Sequence, residues 1–343
     1  MPARSSIERL WYGTERPLWL LPFSFLYGTV IALRSLLYRI GLRHRVRIAA
    51  PVVVVGNLTV GGTGKTPLVA WLSTKMAATG MKVAIVSRGY GGRARGVQRV
   101  TLHSRPSEVG DEPLLLARRS QATVFIGRDR VAAAKAAVAD KADLILCDDG
   151  LQHLALKRDC EIVVIDGQRG FGNGCRLPRG PLRESPGRLR RVNAVVVNGN
   201  LTRPGFALPK FVSKTAFAMK LRPGDARPVS GGGSLRSLAS FRGAGVHAVA
   251  AIGNPQRFFD MLREAGLTVY EHRFPDHHPF RAGDLNFGDS MPILMTEKDA
   301  VKCAAFADER SWYVPVTAEF TENETRELVD LVLARVEAFR KNG

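Results

Sequence analysis

The sequence is poor in cysteine and in acidic residues. Its 343 residues include four scattered cysteines and no C-x-x-C pair. This argues against a zinc site or a disulfide framework and fits a reducing cytosolic compartment. Only 31 acidic residues oppose 50 lysines and arginines, which gives a formal net charge of +19. A charge this high predicts an anionic partner, such as a nucleic acid, an anionic membrane surface or an anionic substrate.

Internal repeats and low-complexity tails are also lacking, and the length leaves room for two domains or one large one. As far as residue 200, apolar runs alternate with helix-like or Gly-rich segments. This alternation predicts a parallel sheet with helices on both faces. Proline and glycine then become frequent, and a second set of short α/β elements follows. Ligands of such sheets bind beyond the carboxyl ends of the strands.

Residues 52–72, VVVVGNLTVGGTGKTPLVAWL, contain the most informative local pattern. The valines predict a buried strand, and the apolar residues after Pro67 recur at helical spacing. A strand, a Gly-rich turn, a Lys-Thr pair and a helix form a P-loop, whose backbone N–H groups surround a phosphate. We therefore predict an ATP site formed by Thr59, Val60, Gly61, Gly62, Thr63, Gly64, Lys65 and Thr66.

Two side chains of this loop have specific roles in the P-loop pattern. Lys65 would reach the β- and γ-phosphates, and the Thr66 hydroxyl would ligate Mg²⁺. The common pattern has glycine at position 59, where this chain has Thr59. MinD-type ATPases have a similar loop with an additional lysine, which is absent here. The alternative is a Gly-rich turn with an incidental Lys-Thr pair, but the flanking strand and helix favour the nucleotide site.

Further carboxylates stand where predicted strands end. Asp148 and Asp149 follow the apolar run LILC, as in Walker B strands, where carboxylates hold Mg²⁺ directly or through water. The alternative for this pair is an Asp-Gly turn. Asp166 ends the next strand and fits a turn cap as well as a site residue.

Two other groups of polar residues are less informative by themselves. Asp111 and Glu112 stand at a predicted helix start, where the helix dipole is the ordinary explanation for acidic residues. The segment FPDHHPF places Asp276 beside His277 in the second domain. An Asp-His pair with an acid–base role is plausible there, but the spacing does not establish it.

The N-terminal region contains an uncharged stretch at residues 17–33, PLWLLPFSFLYGTVIAL. It falls short of the ~20 apolar residues that a membrane span needs, and Pro22 and Gly28 interrupt it. Because a nucleotide site follows, a secretory signal is not expected. We predict an interfacial helix whose following arginines face anionic lipid; the alternative is a core helix. Those arginines are Arg34, Arg39, Arg43, Arg45 and Arg47.

Seven motifs occur in a fixed order: VVVVGNLTVGGTGKTP, VSRGYGG, GDEPLL, DDGLQH, VIDGQRGFGNG, LPRGPLRE and MTEKDAVK. Together they resemble the tetraacyldisaccharide 4'-kinase family, the lipid A 4'-kinases of Gram-negative bacteria. The resemblance extends from about Trp11 to Val316. The combination of DDGLQH with RGYGG is far more specific than the P-loop alone, and Thr59 is normal in this family.

The resemblance implies transfer of the ATP γ-phosphate to the 4'-hydroxyl of a tetraacyldisaccharide 1-phosphate, giving lipid IVA. ATP and Mg²⁺ would be the cofactors. The partners would be this anionic glycolipid and an anionic membrane surface, with no nucleic acid, at the cytoplasmic face of the bacterial inner membrane. The remaining alternatives are a nucleic-acid-dependent P-loop ATPase and a membrane-associated switch of the MinD type. The chain has no basic stripe interleaved with aromatics, which disfavours the former.

The resemblance also implies roles for individual residues. Lys65 and Thr66 would serve ATP and Mg²⁺, and Asp148 and Asp149 would belong to the metal site. Asp111 would be the base for the sugar hydroxyl, paired with His277, which Asp276 would orient. Residues with substrate-binding or supporting roles would be Tyr90, Glu112, His153, Arg183, Glu184 and Asp276.

The resulting expectation is an α/β fold with a P-loop NTPase-like parallel sheet and a smaller C-terminal α/β domain. We predict a membrane-associated helical segment at residues 1–48 and a P-loop kinase core at residues 49–210. A linker at residues 211–235 would lead to the C-terminal domain at residues 236–343.

Overall fold

The computed structural model describes residues 6–13 and 16–342. Two sheets account for the strands of this part of the chain. In chain order the strands are β1 (Val52–Gly56), β2 (Val83–Ser87), β3 (Gln98–Val100), β4 (Thr123–Ile126), β5 (Leu144–Asp148), β6 (Cys160–Asp166), β7 (Ala194–Asn198), β8 (Ala216–Pro223), β9 (Arg227–Pro228), β10 (Gly245–Ala250), β11 (Thr268–Arg273), β12 (Ile293–Thr296), β13 (Ser311–Val314) and β14 (Val316–Glu319).

The α-helices cover the sheets and form the N-terminal region. In chain order they are α1 (Ser6–Tyr12), α2 (Leu21–Arg39), α3 (Lys65–Ala77), α4 (Pro106–Val109), α5 (Asp111–Arg119), α6 (Arg130–Ala139), α7 (Pro255–Glu264), α8 (Glu297–Cys303) and α9 (Glu322–Asn342). Short 3₁₀ helices lie at Leu18–Leu20, Pro186–Arg191, Lys210–Thr215, Leu238–Phe241 and Ala282–Leu285.

The first sheet has nine strands in the order β14-β8-β7-β6-β1-β5-β2-β4-β3. The seven strands from β8 to β4 in this order are mutually parallel, and β14 and β3 pair antiparallel at the edges. Strands β1, β2, β5, β6 and β7 are buried at every residue, as expected for parallel strands covered on both faces. The predicted P-loop NTPase-like α/β fold is confirmed.

Helices cover this sheet on both faces. Apolar residues of α3, α5 and α9 share one core cluster with the sheet, and alanines of α6 pack into a second cluster on the other face. Asp129 caps α6, because its carboxylate accepts from the backbone N–H groups of Val131 and Ala132. Thr321 and Glu324 form a capping box at the start of α9.

The second sheet has five strands in the order β11-β10-β12-β13-β9. Its first four strands are parallel, and the two-residue strand β9 pairs antiparallel with β13. Helix α7 contributes Phe258, Phe259 and Leu262 to the core beneath β10. Residues that follow β10 and β12 contact the first domain: Gly253 and Asn254 after β10, and Lys298 after β12.

The domain boundaries differ from the prediction at both ends of the second domain. Residues 211–235 are not simply a linker, because they include β8, which pairs with β7 in the first sheet. The chain also returns to the first domain, since β14 pairs with β8. Helix α9 packs Leu328, Val332 and Val336 into the same core cluster as α3. Local composition cannot reveal this return, because it depends on pairing between strands far apart in the chain.

Helix α2 lies mostly at the surface. Among residues 18–39, Leu20 and Gly28 are buried, whereas Trp19 is 71% and Phe25 is 77% exposed. The helical segment from Leu18 to Arg39 has the length and composition of a membrane-crossing helix. The core-helix alternative is therefore wrong, since such a helix would bury its apolar side chains.

Candidate active site

A cleft of about 1260 Å³ separates the two domains. Both domains line it: the P-loop and the ends of β2 and β5 on one side, and residues after β10 and β12 on the other. It therefore lies beyond the carboxyl ends of the parallel strands, as predicted for a sheet of this kind.

The P-loop is shaped by its glycines and by two asparagines. Gly61 and Gly64 have φ values of 108° and 93°, which favour glycine. The Asn57 side chain donates to the backbone oxygens of Thr59 and Gly61, at 2.8 and 3.3 Å. A Cβ atom on Gly64 would lie 2.2 Å from Asn198 Nδ2, so glycine is also required there by space.

Lys65 begins α3 and points toward the end of β5. Its Nζ lies 3.2 Å from Asn57 Oδ1 and 3.5 Å from Asp149 Oδ1. Arg183 Nη1 lies 3.2 Å from both oxygens of Asp149. Burial raises the pKa of Asp149, but these two cations outweigh it and lower the pKa to about 2. Asp149 thus stays ionised at neutral pH and links the lysine to Arg183.

Asp148 has the opposite environment. It is 1% exposed, and its Oδ1 has no hydrogen-bond partner among the described residues. Burial and the nearby charge of Glu112 raise the pKa of Asp148 to about 7. A buried carboxylate oxygen without a partner is costly unless a cation approaches it. Together with the Thr66 hydroxyl at the start of α3, it supplies hard oxygen donors of the kind that Mg²⁺ prefers.

Asp111 of the first domain lies close to His277 of the second, which lines the cleft. Asp111 is the first residue of α5, and His277 lies in the turn after β11, with a φ of 61°. His277 Nδ1 is 3.5 Å from Asp111 Oδ2. The Tyr90 ring lies beside the imidazole, with ring centroids 4.8 Å apart. The structure thus brings together the predicted pair, and their catalytic role stays a prediction.

Lys298 is a site residue that was not predicted from the sequence. Its Nζ lies 3.0 Å from Glu112 Oε1 and 3.3 Å from both Asp276 Oδ1 and His277 Nε2. Burial lowers the pKa of Lys298, but Glu112 and Asp276 outweigh burial and raise it. An ammonium group donates to Nε2, so the proton of a neutral His277 lies on Nδ1, facing Asp111.

Asp276 does not orient His277 in the way that was predicted. Its Oδ1 is 3.8 Å from His277 Nε2, beyond hydrogen-bond distance, and Lys298 lies closer to both. Lys302, one helical turn after Lys298 on α8, places Nζ 3.6 Å from Asp111 Oδ2 and 3.0 Å from the buried Asp299. Both lysines belong to the motif MTEKDAVK, where spacing of four residues places them on one helix face.

Two further residues that line the cleft, Arg130 and His153, have buried nitrogens without partners among the described residues. These nitrogens are Arg130 Nε and Nη1 and His153 Nδ1. Burial and the Arg130 charge lower the pKa of His153. Such groups await a polar ligand, because an unmade buried hydrogen bond is costly. His153 was predicted as a site residue; Arg130 was not.

Gln152 connects this region to helix α2. Its side-chain amide donates to Glu184 at 2.9 Å, and its Oε1 accepts from Arg183 at 3.2 Å. Arg34, on α2, donates to its backbone oxygen at 3.0 Å. The predicted residues Arg183 and Glu184 therefore lie where the N-terminal helix meets the cleft.

The comparisons with known proteins agree with this geometry. Residues 16–336 match the family model described as tetraacyldisaccharide-1-P 4'-kinase. The chain belongs to this family. The tetraacyldisaccharide 4'-kinase of Methylobacillus flagellatus is 48% identical over 96% of this chain and 95% of its own length. That of Alkalilimnicola ehrlichii is 51% identical over 92% of each.

A solved structure shows the same fold. The "apo" form of LpxK from Aquifex aeolicus in complex with ATP is 28% identical, covers 92% of this chain and 98% of its own, and has a TM-score of 0.76. Family membership confirms the predicted enzyme class, a kinase of lipid A biosynthesis. The kinase prediction is therefore preferred to the two alternatives, a nucleic-acid-dependent ATPase and a MinD-type switch. The absence of a nucleic-acid partner stays a prediction.

Proposed function

We propose that this kinase transfers the γ-phosphate of ATP to the 4'-hydroxyl of a tetraacyldisaccharide 1-phosphate, with Asp111 as the base. The observation that carries the proposal is the approach of Asp111 in the first domain to His277 in the second: Oδ2 and Nδ1 are 3.5 Å apart, and His277 lines the same cleft as the P-loop. ATP would bind at residues 59–66, since a P-loop presents backbone N–H groups to phosphates. The ATP complex of the Aquifex aeolicus relative supports this.

Mg²⁺ would be held by Asp148 and the Thr66 hydroxyl. The unpartnered buried oxygen of Asp148 fits a cation, whereas Asp149 already pairs with Lys65 and Arg183. The ion would neutralise charge on the β- and γ-phosphates. Of the two aspartates predicted to hold the metal, we therefore propose only Asp148 as a Mg²⁺ ligand. Asp149 would instead hold the side chains of Lys65 and Arg183 in place.

The chain's own residues would supply the remaining chemistry. Asp111 would accept the proton of the 4'-hydroxyl. His277 Nδ1 lies 3.5 Å from Asp111 Oδ2 and has no hydrogen-bond partner among the described residues, so it would orient this carboxylate through an Nδ1–H bond formed in the substrate complex. Lys302 compensates the negative charge of Asp111 from 3.6 Å. The hydroxyl and γ-phosphate must meet in line, so positioning and charge stabilisation carry most of the catalysis. Arg130 and His153 would bind polar groups of the sugar acceptor, which gives partners to their buried nitrogens.

The lipid would reach this site from a membrane. Helix α2 exposes apolar side chains and touches the cleft through Arg34 and Gln152. We place the enzyme at the cytoplasmic face of the inner membrane, where ATP is available and the arginines after α2 meet anionic headgroups. A phosphate-transfer assay with γ-labelled ATP in detergent micelles tests the function. Label found in the disaccharide lipid supports it, and ATP hydrolysis without lipid labelling contradicts it.

Membrane binding can be tested without disturbing the fold. The double variant Trp19→Glu with Phe25→Glu should bind anionic liposomes at least tenfold more weakly. Burying each aromatic side chain in the membrane would contribute ~1.5–3 kcal/mol to binding. Leu235→Glu, an exposed leucine (56%) in the other domain, is the control and should bind as the wild type does. Liposome co-sedimentation at several salt concentrations measures this. Equal binding by all variants would contradict the proposed membrane surface.

Charge reversal at the arginines after α2 tests the electrostatic contribution to membrane binding. Arg43 and Arg45 are exposed, whereas Arg47 lies 3.8 Å from Asp159 and over the Phe339 ring. Arg43→Glu with Arg45→Glu should weaken binding in low salt and matter less in high salt. Arg47 is left unchanged because it has partners in the fold. A salt-independent effect in the same co-sedimentation assay would point to lost structure instead.

Asp148→Asn should remove activity and yet stabilise the unliganded enzyme above neutral pH. The folded-state pKa of about 7 exceeds the usual value, so the folded protein binds one more proton than the unfolded chain between pH ~4 and ~7. Stability is therefore lost as pH rises through this window. Asparagine does not ionise, so the variant keeps its stability as the pH rises. Its melting temperature should therefore exceed that of the wild type at pH 8 and be close to it at pH 5. Calorimetry without nucleotide or Mg²⁺ measures both, and a lower melting temperature at pH 8 would contradict the assignment.

A further inference from the structure

Gly253, in the second domain, lies directly against the P-loop. A Cβ atom on Gly253 would lie 2.2 Å from the backbone N of Gly62 and 3.1 Å from Gly61 Cα. A Cβ on Gly62, in contrast, would lie 3.6 Å from Gly253 N, an ordinary contact. Gly253 does not have a positive φ. Space, and not backbone conformation, therefore requires glycine at this position.

Polar contacts on both sides hold this glycine in place. The Arg169 guanidinium, in the first domain, donates to the backbone oxygen of Gly253. Asn254, the next residue, donates from Nδ2 to Asp166 Oδ2 at 3.0 Å. Asp166 also accepts from the backbone N–H groups of residues 168 and 169. Asp166 thus caps a turn, as its position in the sequence suggested, and also holds the second domain through Asn254.

A second line of contacts runs from α7 to the same loop. Arg257 Nη2 lies 2.8 Å from Asp166 Oδ1 and donates to the backbone oxygen of Asn198 at 3.1 Å. Asn198 donates in turn from Nδ2 to the backbone oxygen of Thr63, in the P-loop, at 2.9 Å. The contacts form a closed ring from the loop through both domains and back to the loop.

We propose that Gly253 is a positioning residue for phosphoryl transfer, which seats the second domain directly against the P-loop. The atoms around it belong to the backbone, so rotation of a side chain cannot make room for a methyl group. Alanine would move the segment away from Gly62 by about an ångström. A displacement of this size can cost ~10²-fold in rate when it misplaces reacting groups. The proposal rests on the ATP site proposed above.

Gly253→Ala and Gly283→Ala form a matched pair for the test. Gly283 lies in the same domain, has no positive φ, and a Cβ there would meet nothing within 4 Å. Gly253→Ala should lower kcat/KM for ATP by ~10–10²-fold, with the KM for the disaccharide lipid and the unliganded melting temperature nearly unchanged. Gly283→Ala should match the wild type in all of these measurements.

Wild-type kcat/KM for ATP in Gly253→Ala would overturn the proposal. If this variant instead melts much earlier, Arg257→Lys decides, because it weakens the anchor without adding volume. It should lower the same parameter, and no change would equally overturn the proposal. Lys65→Ala, assayed in parallel, shows whether the ATP site itself is wrong. If Lys65→Ala keeps its activity, the proposed ATP site is contradicted. If Lys65→Ala is inactive while Gly253→Ala is fully active, only the role of Gly253 is contradicted.

Discussion

Lys65→Ala is expected to lower kcat by on the order of 10²-fold or more, comparable to the loss of one preorganised electrostatic donor. The Lys65 ammonium group would stabilise the charge that develops on the β- and γ-phosphates as the bond breaks. In the unliganded protein it lies beside Asn57 and Asp149, so it already points into the cleft. No large rearrangement is needed before it can bind phosphate.

The fold should tolerate this substitution. Asp149 retains Arg183 at 3.2 Å after the lysine is removed, so its carboxylate keeps a cationic partner and the free energy of unfolding should change little. Lys75→Ala is the matched control, since Lys75 is an exposed lysine on the same helix. Initial rates of phosphate transfer to the lipid and thermal melting measure the two effects. Near-wild-type turnover in Lys65→Ala would remove the P-loop from the mechanism.

The parts of the fold that the sequence predicted well are those with strong local signals. Continuous valine and isoleucine runs predicted the central strands, because strands buried on both faces need apolar residues throughout. The position of β14 beside β8 could not be predicted in this way, since neither strand's residues specify which distant strand will be its neighbour.

The site shows the same division between local and tertiary information. The P-loop and the aspartates after β5 are contiguous motifs. The pairing of Asp111 with His277 came from family resemblance, because their spacing in the chain does not reveal contact. Lys298 stands in the motif MTEKDAVK but received no role, because a lysine on a helix is usually solvated. Gly253 had no recognised signal, because Gly-Asn-Pro suggests a turn. Their importance arises only when the second domain lies against the first.

Asp111→Ala and His277→Ala should each lower kcat strongly while leaving the affinity for ATP nearly intact. Neither residue belongs to the P-loop, so nucleotide contacts stay in place. Asp111 would remove the proton from the attacking hydroxyl, and His277 would orient its carboxylate through Nδ1–H. Lys298 Nζ, 3.3 Å from Nε2, fixes this tautomer. An imidazole held in the other tautomer could not donate to Asp111.

The double variant is the sharper test. Because the two residues act as a unit, Asp111→Ala with His277→Ala should be little slower than the slower single variant. His278→Ala is the control: this neighbouring histidine pairs with Asp284 at 3.0 Å and should retain most of the activity. Single-turnover rates and nucleotide binding by calorimetry separate chemistry from ATP affinity. Losses that multiply in the double variant, or a single variant that fails to bind ATP, would show that Asp111 and His277 do not form a catalytic pair.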